Sequence, residues 1–155
     1  MKKLYHGSGY SQDELMPGIK HSGKLVQWDG TESNEWLYAA SSMEEAVSQG
    51  FASTLEKHFN VSRFKSDGNK ITIEIDKGRV PTTNEMKALD VWLYTIDHTD
   101  CWRLVLNATN GIKDEYKTQE TIKDSIVSKE KVDIAKWFAG KQVKVVSVNN
   151  RSYDW

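Results

Sequence analysis

Cysteine is nearly absent from the 155 residues of this chain. Cys101 stands alone, so no internal disulfide can form, and a reducing, cytoplasmic setting is the simplest expectation. No apolar run approaches the roughly 20 residues of a membrane helix. Met1-Lys2-Lys3 leads into an alternating strand pattern rather than a signal-peptide centre, so no membrane partner is expected. Neither sign of charge dominates: 21 Lys and Arg face 22 Asp and Glu, for a net charge of -1. That balance gives no ground for an obligatory nucleic-acid partner, while a local basic patch stays open. His6, His21, His58 and His98 lack the spacing that gathers metal ligands locally, so no metal site is expected. Phosphate-loop, dinucleotide-turn and serine-elbow motifs are missing too, which removes the usual entry points to those chemistries.

The patterning describes one α+β domain over residues 1–155, with many short strands, one principal helix and no repeat or linker. Leu4 to Ser8 reads as a first strand and Glu35 to Ala40 as a second. Leu15 to Ile19 reads as a turn or helical end broken at Pro17-Gly18, and residues 20–34 as a polar loop of the length that often covers a site. Ser42 with Glu45 is a capping box. The helix it opens places Met43, Ala46, Val47, Phe51, Leu55 and Phe59 at helical spacing and ends near Asn60. A polar loop with Ser66-Asp67-Gly68-Asn69 at its tip then leads to Ile71–Ile75, whose period-two alternation is that of a half-buried strand. Thr83–Asp90 reads as a short helix, and Val91–Ile96, Trp102–Leu106, Ser125–Ser128 and Gln142–Val148 as strands. Asp133 caps a helix that stops at Gly140. Trp36, Trp92, Trp102 and Trp137 lie within apolar patterns and are expected to pack in the core.

Leu4-Tyr5-His6-Gly7-Ser8 carries the most chemistry. Glycine allows a ligand close approach to the backbone, and imidazole supplies a directional donor or acceptor. A strand running into a Gly-Ser-Gly turn also needs no ligand, so these residues leave both readings open. Tyr38 likewise reads either as a ligand-stacking ring or as a core tyrosine on an alternating strand.

Taken in order, Leu4-Tyr5-His6-Gly7-Ser8, then Trp36-Leu37-Tyr38-Ala39-Ala40 with Ala46 on the following helix, then Asp124-Ser125-Ile126-Val127-Ser128 resemble the ADP-ribosyltransferase superfamily, in its diphtheria-toxin and poly(ADP-ribose) polymerase branch. There the strands read Leu-Trp-His-Gly-Ser, Gly-Ile-Tyr-Phe-Ala and Glu-Tyr-Ile-Val. The resemblance implies a split, mainly antiparallel sheet with NAD, the substrate, in a cleft. It implies that His6 bonds a ribose of NAD, that Gly7 and Ser8 meet the nicotinamide amide, and that Tyr38 lies against the nicotinamide ring. His6 and Tyr38 are then expected on adjacent strands facing one cleft. The family glutamate aligns with Asp124, one methylene shorter, and Glu120 is the alternative carboxylate. Ser48 stands near a second family tyrosine, with Phe51 one turn later. The implied activity is mono-ADP-ribosyl transfer to a protein or nucleic-acid acceptor with release of nicotinamide. The alternative is an inactive module of the same fold that binds a protein partner or a nucleotide.

Overall fold

The computed structural model describes residues 2–24, 34–105 and 115–148. Within them the chain runs β1 (Lys3–Ser8), α1 (Gly18–Ser22), β2 (Leu37–Ala40), α2 (Met43–His58), β3 (Val61–Asp67), β4 (Lys70–Ile75), α3 (Thr83–Lys87), β5 (Trp92–Asp97), β6 (Arg103–Leu104), β7 (Glu115–Thr118), β8 (Ile126–Lys131), α4 (Ile134–Phe138) and β9 (Gln142–Ser147). Six strands form one sheet in the order β6-β7-β2-β1-β5-β8, every neighbouring pair antiparallel. Three form a second, β3-β4-β9, in which β4 and β9 are parallel. The chain is therefore α+β and mainly antiparallel, with one long helix and three of five residues each. None of the helices among the described residues is long and apolar enough to cross a membrane.

The long helix forms where the sequence predicts it. The Ser42 hydroxyl accepts a hydrogen bond from the Glu45 amide at 3.3 Å, satisfying one otherwise orphaned N–H. Glu44 and Glu45 in the first turn and Lys57 and His58 in the last complement the helix dipole. Ala46, Val47, Phe51 and Leu55 are buried, whereas Met43, at the first helical position, is turned outward and 48% exposed. Phe51 and Leu55 pack with Ile71, Ile73 and Ile75 of β4 and Phe138 of α4, which joins α2 to the small sheet. The other face of the six-stranded sheet has its own core, built on Leu4, Leu37, Tyr94, Ile96, Trp102 and Tyr116.

Three local expectations change. Pro17-Gly18 opens α1 instead of ending a helix, since proline's missing N–H costs nothing at a helix start. Val61–Asp67, read as loop, is the edge strand β3. Its register shifts between Val61 and Arg63, and that irregularity erases the alternation that would have marked a strand. Glu115–Thr118, given no element in the sequence reading, is β7, an inner strand of the large sheet. Leu106 lies outside the described residues, as do positions 25–33 of the polar loop.

Candidate functional site

β1 and β2 share only one registered pair, Tyr5 with Ala40. Beyond it the two strands part. Across the gap, Nδ1 of His6 lies 2.7 Å from the main-chain oxygen of Tyr38. A carbonyl oxygen only accepts, so Nδ1 carries the proton, and the neutral ring keeps its lone pair on Nε2. Burial pushes the His6 pKa below its ordinary value, with the bond to Tyr38 a smaller opposing influence. The imidazole is thus held neutral, as a hydrogen-bond acceptor at Nε2.

The gap opens into a cavity of about 980 Å3. His6, Gly7 and Ser8 of β1, Tyr38 of β2 and Glu115 of β7 line it, as do Gln49, Ala52, Ser53 and Glu56 of α2. Gly7 is where helix and strand come closest. A Cβ there would stand 1.9 Å from the Ala46 carbonyl oxygen and 3.0 Å from the Gly50 nitrogen. Gly7 is thus required by the seating of α2, whatever its main chain offers a ligand.

Glu115 is a buried carboxylate, 4% exposed, at the head of β7. Its partner across the sheet is Ala40, and that of Tyr38 is Lys117. Strand alternation therefore sends Glu115, Lys117, Tyr38 and Ala40 to one face, the one on which α2 packs, while Tyr116, Leu37 and Ala39 enter the core of the other. His6 pairs with Tyr94, whose ring centroid is 6.0 Å from its own, and so belongs to that second face. The expectation that His6 and Tyr38 face one cleft needs correcting in that respect. They are on adjacent strands and border one cavity, but from opposite sides of the sheet, meeting through the His6 side chain and the Tyr38 main chain.

The carboxylates expected from the sequence lie elsewhere. Asp124 is exposed in the turn before β8, the sheet edge farthest from β6 and β7. Glu120 is exposed beyond the far end of β7. Neither lines the cavity. Ser48 is buried and outside it, its hydroxyl without a hydrogen-bond partner, and Phe51 lies against Phe64, Trp137 and Phe138. Gln49, one residue after Ser48, does line the cavity. Sequence reasoning missed Glu115 because it followed the Ile-Val of the third family strand to residues 126–127. The Glu-Tyr that precedes those residues in the family occurs at Glu115-Tyr116 and was the usable signal.

Comparison with models of protein families, with curated proteins and with solved structures gave no match to this chain.

Proposed function

We propose that the chain is an NAD-dependent mono-ADP-ribosyltransferase, with the cavity as the NAD site and Glu115, in place of Asp124 or Glu120, as its carboxylate. The observation that carries this reading is that His6, Tyr38 and Glu115 of three neighbouring strands line one cavity, Tyr38 and Glu115 from the α2 face of the sheet and His6 from the other. They come in the order in which the resembled family presents its histidine, tyrosine and glutamate.

The chemistry suits these groups. Transfer breaks the bond between nicotinamide nitrogen and the anomeric carbon of the ribose. The bonding pair leaves with nicotinamide, which departs neutral, and positive charge develops on the ribosyl ring. An acceptor lone pair then forms the new bond to that carbon, and the acceptor gives up a proton. Glu115, a carboxylate removed from bulk water, would stabilise the developing cation, where a fixed opposite charge acts most strongly. His6, neutral with a free lone pair at Nε2, would accept from a ribose hydroxyl. Tyr38 would present its ring to nicotinamide.

A second reading, an inactive module of this fold that holds a nucleotide or a protein partner, is favoured by one feature. The α2 residues that line the cavity, Ala46, Gln49, Ala52, Ser53 and Glu56, offer no ring to a nicotinamide. Nicotinamide release from labelled NAD separates the two. The transferase reading expects release by the wild type that Glu115→Gln abolishes. The module expects a rise in melting temperature with NAD or ADP-ribose and no release. A wild type that neither releases nicotinamide nor labels any acceptor ends the transferase reading.

A further inference from the structure

One feature of the cavity rim has no part in the chemistry above. Trp36, half-buried just before β2, lines the cavity, and two cations stand over its ring. Nζ of Lys117 is 4.3 Å from the ring centroid and the guanidinium carbon of Arg103 is 5.9 Å away. Arg103 and Lys117 are cross-strand partners on β6 and β7. Like charges directly opposite one another destabilise a sheet, and neither makes an ion pair with a carboxylate among the described residues. The nearby acid, Glu35, accepts a hydrogen bond from Gln119 at 2.9 Å. An indole with two cations at its ring, neither in an ion pair among the described residues, suits an anion that carries a flat ring. Lys117 also shares a strand face with Glu115, two residues and so about 7 Å along β7.

From this geometry we propose that Trp36, Lys117 and Arg103 form an acceptor subsite for single-stranded nucleic acid, a base stacking on the indole as the two cations turn from the ring to the flanking phosphates. The identity of the strand as acceptor rests on the transferase reading; its binding does not. A single strand alternates phosphates with exposed ring faces, the pattern this rim complements. An acidic peptide would satisfy the cations and leave the indole unused. The overall charge of -1 supplies no long-range pull, so the strand is held locally and its affinity falls steeply with salt.

The test is fluorescence anisotropy of a labelled oligothymidylate titrated with the full chain, without NAD. Binding is expected, weakened on the order of tenfold or more in Trp36→Ala and largely kept in Trp36→Phe. Lys117→Gln and Arg103→Gln should each lower the slope of log affinity against log salt by about 0.7. Near-UV circular dichroism checks that each variant is folded. No binding by the wild type, binding unchanged in all the variants, or equal binding of polyglutamate overturns the proposal, the last pointing to a protein acceptor. Because NAD is absent, failure of the transferase reading in the nicotinamide assay leaves this result standing, and the reverse holds too.

Discussion

Gly7 and Gly50 meet backbone to backbone where α2 crosses β1: a Cβ on Gly50 would stand 2.9 Å from the Gly7 carbonyl carbon and 3.0 Å from its Cα. The strand that carries His6 and the helix that lines the cavity with it are held together at this contact.

Gly7→Ala tests that contact directly. The new methyl would meet the main-chain oxygen of Ala46, which can yield only if the helix moves. Overpacking of this kind costs about 1–3 kcal/mol. For a chain of this size each kcal/mol corresponds to roughly 2–4 °C in melting temperature. Thermal and urea unfolding should both show the loss; a variant as stable as the wild type would mean that α2 is not seated as described.

The neutral state of His6 makes stability depend on pH. Burial lowers its pKa in the folded chain below the unfolded value of about 6.5, so between those values the unfolded chain binds more protons. Its contribution is fully present above the unfolded pKa and is lost as pH falls through the folded one. Urea unfolding across this range should show stability declining below about pH 6.5. In His6→Asn, whose amide can still donate to the Tyr38 oxygen, that part of the decline should disappear.

Carboxylate assignments divide by position. Glu115→Gln keeps shape and removes charge, so nicotinamide release should fall on the order of a hundredfold or more. Asp124→Asn and Glu120→Gln, both outside the cavity, should leave the rate unchanged. Steady-state kinetics of the three variants decides between them. A loss in Asp124→Asn with none in Glu115→Gln would restore the alignment read from the sequence.

Tyr94 anchors the chain that leaves β1. Its hydroxyl accepts from the Gln12 amide and donates to the Tyr10 carbonyl oxygen, each at 2.7 Å. Tyr94→Phe removes both part-buried hydrogen bonds, each worth about 0.5–1.5 kcal/mol net. Hydrogen exchange at the Gln12 amide should quicken in this variant while the β5 amides keep their protection.

Much of this arrangement is written in the sequence. Ser42 and Glu45 start α2, the alternating isoleucines of 71–75 declare β4, and Asp133 opens α4, because caps and periodicities act over a few neighbouring residues. His6 and Tyr38 were also legible, as local motifs at the ends of short strands. Glu115 was legible only as the Glu-Tyr of the resembled family, for a short strand reading Glu-Tyr-Lys-Thr has too little apolar pattern to stand out as a strand. Only its pairing with β2, far away in sequence, fixes which of its residues enter the core and which the cavity. The same holds for Lys117 and Arg103, unremarkable as lone basic residues and joined on one indole by strand register. Local sequence determined the elements and the residue types of β1 and β2. Tertiary structure decided which carboxylate and which cations share their cavity, because cross-strand register is a long-range property that no short window of sequence contains.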